Sequence, residues 1–301
     1  MKVLVTGGAG FIGSHVCDQL RADGHFPVVF DHYGRGPEVH FLGDIRDWTA
    51  VSEAIAHCDG FIHLAGILGT QENILDPRPA IETNIFGGLN VLESAAKHNI
   101  PGVCIGVGNH FMQNTYSITK STVERLVAMY NKERGTRVNV VRAMNAYGPR
   151  QVPSSPYGPS KVRKIAPSFI CRALIGDPIE VYGSGSQVSD MVYVTDLALA
   201  LCRALYKAKE GVVFDRVVEV GPTEHQTVRQ IADLVKELVG SDSEIVSLPA
   251  RPGEQVNAPV YADTSTLELI GMSADTLVPI RDGMAKAIEY YGQTYLDGVK
   301  K

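Results

Sequence analysis

Short apolar runs alternate with stretches of helical spacing through the first half of the chain. Val3-Leu4-Val5, Pro27 to Phe30, Phe61 to Leu64, Val103-Cys104-Ile105 and Val138 to Val141 read as strands. Between them, Ile12 to Ala22, Thr49 to His57, Pro79 to Asn99 and Tyr116 to Glu133 space their apolar residues as one face of a helix requires. Strands that alternate with helices long enough to cross over imply a parallel sheet with right-handed connections. The predicted class is α/β, with a mainly parallel, doubly wound sheet.

After Asn145 the texture changes. Residues 148–167 hold five prolines (149, 153, 156, 159 and 167) and little periodicity. A helix from Pro167 to Leu174, a strand from Ile179 to Tyr182 and Val192-Tyr193-Val194 follow, then helices Thr195 to Lys207, Thr227 to Val239 and Ile280 to Tyr291. The expected division is a sheet domain over 1–150, rejoined by 184–222, and a smaller lobe from 151–183 and 223–301. The cleft between them is the expected substrate site.

Local chemistry sharpens this picture at Thr6-Gly7-Gly8-Ala9-Gly10-Phe11-Ile12-Gly13, which follows a strand and opens a helix. In that context Gly7 and Gly10 allow a tight turn close to a pyrophosphate, and Gly13 lets the helix approach the sheet. The helix N-terminus then faces the negative charge. Such a Rossmann-type turn binds a dinucleotide. Asp31 ends the second strand, where a carboxylate reaches ribose hydroxyls and repels a 2′-phosphate, so NAD is the expected cofactor, with Arg35 close by. Asp44-Ile45 is placed over the adenine, and Leu64-Ala65-Gly66 beside the cofactor path.

Tyr116 and Lys120 stand four apart on one helix face. An ammonium near the phenol favours phenolate, which can take a proton from a hydroxyl while hydride leaves the same carbon. A second pair with this spacing, Tyr157 and Lys161, encloses Pro159 and reads as a surface loop.

Composition narrows the partners. The chain has 301 residues, 45% hydrophobic and 20% charged, with a formal net charge of -5. That balance offers no basic footprint for nucleic acid. No apolar run approaches the roughly 20 residues that span a bilayer, and the N-terminus reads as a strand and not a signal peptide. Five scattered cysteines without metal spacing predict reduced, buried thiols, no metal site and a cytoplasmic setting.

Taken in order, the glycine turn, Asp31, His63-Leu64-Ala65-Gly66, Asn84, Tyr116/Lys120 and the run Arg142 to Arg150 resemble the NAD-dependent epimerase/dehydratase branch of the extended short-chain dehydrogenases. The likeness continues through Gly183 to Gln187, Asp190 to Asp196 and Arg251-Pro252-Gly253-Glu254, and so spans nearly the whole chain. It implies a nucleoside-diphosphate sugar as substrate and NAD as a transient hydride acceptor. Phe11, Ile12 and Asn84 join the cofactor site, Asn145 and Arg251 the substrate site, with Arg251 on the diphosphate. It also implies a homodimer through the 79–99 and 116–133 helices, to which Val91, Leu92, Leu126, Val127 and Tyr130 are candidate contributors.

The chain departs from this pattern between the fifth strand and the tyrosine, and again at Ser189. Gly106-Val107 replaces the serine or threonine that assists the tyrosine, and Gly108-Asn109 replaces the acid and base of a sugar dehydratase. The loop from Gly106 to Thr115 is short, and Ser189 stands where a diphosphate-binding arginine is usual. His110, Asn109, Thr115 and Ser117 are the candidates to polarise the sugar oxygen. The expected activity is therefore a nucleotide-sugar epimerase acting at C4. The alternatives are a 4,6-dehydratase, a 4-keto-reductase or a lapsed NAD-binding protein.

Overall fold

The computed structural model describes residues 1–33, 39–253 and 259–295. Arg35 and Glu254, singled out above, lie outside them. The first half builds β1 (Lys2–Thr6), α1 (Phe11–Ala22), β2 (Phe26–Asp31), β3 (Val39–Leu42), α2 (Trp48–Ala56) and β4 (Gly60–His63). Next comes a helical run, α3 (Arg78–Ala80), a π-helical segment Ile81–Phe86 and α4 (Gly87–His98). Then follow β5 (Gly102–Val107), α5 (Thr115–Arg134), β6 (Val138–Ala143) and β7 (Asn145–Tyr147). The second half adds α6 (Ile165–Ile175), β8 (Ile179–Tyr182), β9 (Met191–Tyr193), α7 (Val194–Lys209), β10 (Val218–Val220), α8 (Val228–Val239), β11 (Ile245–Leu248) and α9 (Ile280–Tyr295).

Seven strands form one parallel sheet in the order β3-β2-β1-β4-β5-β6-β10. The order reverses between β1 and β4, and in open α/β sheets ligands bind at the carboxyl ends of the strands beside such a reversal. Both faces are covered, as strands apolar on both sides require. Val3, Val5, Ile62, Val103 and Val141 pack on one side with Leu197, Leu201 and Leu205 of α7. Leu4, Phe61 and Cys104 pack on the other with Val91 and Leu92 of α4 and Val127 and Tyr130 of α5.

That burial settles a competition. Val91, Leu92, Val127 and Tyr130 are no more than 3% exposed, and Leu126 packs partly against the same core. Val91, Leu92, Val127 and Tyr130 cover the sheet and are not available to a second subunit, whereas Leu126 is half-buried. All five cysteines are buried and free. Among the described residues no helix is long and apolar enough to cross a membrane.

A third core joins α6, α8 and α9 through Phe169, Ile170, Ile231, Val235, Met284 and Tyr291. The parallel pair β8–β11 lies beside it, with Ile179 and Val181 of β8 in the same core. Tyr157 also belongs there, 8% exposed, its hydroxyl donating to Asp177 at 2.6 Å. The expectation of a surface loop therefore holds only for the backbone, because a core hydroxyl with an acceptor is as acceptable as an exposed one.

Elements shift where pairing or capping overrides periodicity. β7, β10 and β11 are three or four residues long, too short to show an alternation of their own. α6 begins at Ile165, so Pro167 falls in its first turn, where a missing N–H costs nothing. Helix α8 starts one residue late because Thr227 caps it, in a reciprocal pair with Gln230.

Candidate functional site

Apolar β1 ends at Thr6, and the turn after it is shaped by contacts that leave no room for side chains. Gly7 has φ +71°, and a Cβ there would lie 2.9 Å from the backbone nitrogen of Ala65. A Cβ at Gly13 would overlap the carbonyl oxygen of Gly7 and come within 2.7 Å of the Gly8 Cα. Helix α1 thus sits directly on the turn, and among the described residues no side chain caps its N-terminus at Gly10. A cradle that only backbone can approach, at the positive end of a helix, fits a pyrophosphate.

Asp31 closes β2 with 8% exposure and accepts from the N–H groups of Ala9 and Tyr33, both at 3.1 Å. These bonds hold it beside the glycine turn, where it can meet ribose hydroxyls. Asp44 is taken up by Arg46, the closest contact being 2.6 Å, which lowers its pKa. Its neighbour Ile45 is buried and fills the space that the missing side chain of Gly87 leaves.

The end of β4 is tied to β1 by one hydroxyl. Thr6 Oγ1 accepts from the N–H groups of Leu64 and Ala65 at 3.2 and 3.3 Å, so its own proton points to His63 Nδ1 at 2.8 Å. Burial, with Lys120 close by, pushes His63 down to about 3. The imidazole is therefore neutral, with its proton on Nε2. Because the folded pKa is depressed, this histidine supports stability above its ordinary value of 6.5, and the support is lost as pH falls toward about 3. Denaturant unfolding of wild type between pH 7 and 4 should show that loss, and His63→Asn should show a shallower slope. Equal slopes would refute the assignment.

Asn84, in the π-helical segment, accepts from the Ile67 N–H at 2.7 Å and donates to the Ile67 carbonyl and to Thr119 Oγ1 at 3.1 and 3.0 Å. It clamps the chain after Gly66 against α5. The wider turn of a π-segment is common at functional sites, and the helical spacing of 79–99 gave no sign of it.

Helix α5 opens at Asn114, whose side chain accepts from Ser117 N–H at 2.9 Å. Tyr116 is thereby placed in the first turn, at the cleft, and Lys120 one turn on, 4% exposed. The Tyr116 hydroxyl and the Lys120 ammonium make no hydrogen bond to any described residue. Burial raises the phenol above its ordinary pKa and lowers the ammonium, with Cys104 and Glu124 partly opposing the second shift. Burial, and not the expected downward pull of Lys120, sets the shift of Tyr116. Burial dominates both groups, so Tyr116 rests as a phenol.

Tyr116 faces a cleft bounded on the sheet side by Gly106, Val107, Gly108, Asn109, Met144 and Asn145. His110 is not among its lining residues: the ring lies 3.3 Å from the Gly108 carbonyl and edge-on to Phe111. Thr115 donates to the Asn73 carbonyl at 2.9 Å, and the buried Ser117 hydroxyl has no hydrogen-bond partner among the described residues. Of the four polarising candidates, Asn109 is thus the one that lines the cleft. Asn145 donates to Ser189 Oγ at 2.8 Å.

Across the cleft stand Arg163, Lys164, Tyr182 and Arg251, and the loop after β4 adds Thr70 and Glu72. Sequence reasoning found Arg251 and missed the others. Arg163, Lys164, Thr70 and Glu72 lie on irregular segments where no period or motif marks which side chain turns inward, and Tyr182 ends β8, where alternation does not say which face meets the cleft.

Gly106 has a tertiary reason. Glu124 of α5 accepts from Arg142 Nε at 3.2 and 3.1 Å and from its Nη2 at 2.7 Å, while Arg142 Nη1 reaches Glu219 at 2.8 Å. A Cβ on Gly106 would overlap Glu124 Oε1. The space that a side chain would take is filled by this buried ion network.

Comparison with known proteins agrees with this geometry. Residues 3–111 and 106–221 match the family described as the NAD dependent epimerase/dehydratase family. The chain is 28% identical to UDP-glucuronic acid decarboxylase 1 of Danio rerio, over 97% of this chain and 73% of that one. It is 27% identical to a putative UDP-glucose 4-epimerase of Methanocaldococcus jannaschii, over 96% and 97%. Among solved structures, it resembles the UDP-glucose 4-epimerase of Thermotoga maritima with UDP-glucose, with a TM-score of 0.84, 28% identity, and 98% and 99% of the two chains covered. The UDP-glucose 4-epimerase of Thermus thermophilus in complex with NAD gives 0.82 at 27% identity, covering 98% and 100%.

Proposed function

We propose, from the premise that this chain belongs to the NAD dependent epimerase/dehydratase family, that it is a nucleotide-sugar epimerase acting at C4. Enzymes of this family are NAD-dependent and modify nucleotide sugars, and the glycine turn, Asp31, Asn84 and Lys120 would hold that cofactor. NAD, when bound, supplies a hydride acceptor at the carbon being inverted. Tyr116 removes the hydroxyl proton and later returns it to the ketone oxygen, so one group acts as base and then as acid. Lys120, a buried cation, favours the phenolate once a ligand orders the two side chains. The apolar wall of Val107 and Met144 keeps water from the exposed carbonyl.

The observation that carries this reading is the sheet-side wall. From residue 106 to residue 112 the cleft receives Gly106, Val107, Gly108, Asn109 and Met112, none of which titrates. Elimination of water needs an acid and a base besides the tyrosine, whereas inversion needs the tyrosine alone. Glu72, from the loop after β4, is the carboxylate that keeps a lyase outcome in the test. The test incubates UDP-, dTDP- and GDP-sugars with enzyme and NAD and reads the products by NMR. The reading expects a product of unchanged mass and inverted configuration. A stable keto-sugar would replace epimerase by dehydratase, and bound NAD without any conversion would replace it by a lapsed enzyme.

A homodimer is part of the same reading. Exposed Ile118 and Met129 on α5, with Phe86 before α4, offer the apolar surface that the buried residues named earlier do not. Sedimentation should give twice the chain mass, and a monomer would remove that part. Five buried thiols are compatible with a reducing, cytoplasmic setting.

A further inference from the structure

We infer that Arg163 is a substrate-binding cation for the diphosphate of a nucleoside-diphosphate ligand, held ready by Glu180 and Tyr182. The inference rests on the nucleotide-sugar reading above and names a residue that this reading does not use. Arg163 lines the cleft with its side chain 28% exposed. Its Nη1 donates to Glu180 and to the Tyr182 hydroxyl, the latter at 2.6 Å. Its guanidinium carbon lies 5.6 Å from the centre of the Tyr182 ring, and that of Arg251 lies 5.1 Å from the same centre. Arg251 in turn donates to the Arg163 carbonyl at 3.4 Å. One aromatic ring thus gathers two planar cations at one end of the cleft, with Lys164 next to them.

The charge on Arg163 is only partly balanced by its carboxylate partner. Glu180 also serves Arg172 at 2.9 Å, which is anchored on the Pro178 carbonyl at 2.8 Å. One carboxylate is therefore divided between two guanidinium groups. Ser189, which also lines the cleft, is neutral and engaged by Asn145. A ligand with two adjacent phosphates supplies the remaining negative charge, and a guanidinium fork meets phosphate oxygens in pairs. Arg163 is half-committed: Glu180 and Tyr182 engage one nitrogen, and the side chain still lines the cleft.

Calorimetric titration of UDP, dTDP and GDP, and of UMP, into the NAD-loaded protein tests this. Arg163→Gln should weaken the preferred nucleoside diphosphate about tenfold or more, the loss expected for one charge-assisted bond. The monophosphate should weaken less, and NAD content should stay as in wild type. Arg163→Lys keeps the charge and the Glu180 partner, and should lose only a few-fold. It carries the test if the glutamine variant fails to fold. Wild-type affinity in the glutamine variant, or in the lysine variant if that alone folds, would overturn the inference and leave the proposed function standing. No binding of any nucleoside diphosphate by wild type would overturn both.

Discussion

Tyr116→Phe is expected to lower kcat/KM by about 10²–10⁴-fold on any sugar nucleotide that the wild type converts. Stability should hardly change. The hydroxyl has no hydrogen-bond partner among the described residues, so its loss leaves no orphaned group behind. The ring keeps its place in the first turn of α5, because Asn114 and not Tyr116 holds that turn. NAD content should also persist, since the glycine turn and Asp31 do not depend on the phenol. The pH profile supplies a second readout. Burial raises the phenol and lowers Lys120, so the wild-type rate should climb with pH as phenolate forms and level off where the lysine loses its proton. The variant should lack the rising limb. A variant with wild-type turnover would remove Tyr116 from the chemistry.

Gly106→Ser is the substitution that alignment with relatives invites, because it restores a hydroxyl beside the tyrosine. It is expected to damage the protein instead. Its Cβ would overlap Glu124 Oε1 and lie 2.9 Å from Arg142 Cγ, separating a pair whose side chains are only 8% and 16% exposed. Displacing Glu124 from Arg142 weakens a largely buried ion pair without removing either charge, so the denaturant midpoint should drop and activity should not rise. Val107→Thr adds a hydroxyl at nearly constant volume on the same strand, and should cost less, roughly 1–3 kcal/mol for a buried hydroxyl. A stable and faster Gly106→Ser enzyme would show that Glu124 can move aside, and that the missing hydroxyl belongs at 106.

Much of the fold was legible because its signals are local. Val3 to Val5, the glycines after them and Asp31 declare a strand, a turn and a strand end without knowledge of any distant residue. The same holds for Tyr116 and Lys120, whose spacing alone puts them on one helix face. Other features escape such reading. The strands β7, β10 and β11 exist through partners more than forty residues away along the chain. His110 looked like a proton carrier by its position after β5, yet its ring turns to Gly108 and Phe111, which only packing determines.

What the sequence by itself determined is therefore the sheet, the dinucleotide turn and the Tyr116/Lys120 pair, since each follows from backbone sterics or helical period over a few neighbouring residues. Only the tertiary structure decided that Gly106 is glycine to make room for Glu124, that Val91 and Tyr130 serve the core and no partner, and that Arg163 joins Arg251 around Tyr182. Those outcomes depend on which segments meet in space, and close packing leaves each such meeting a single occupant.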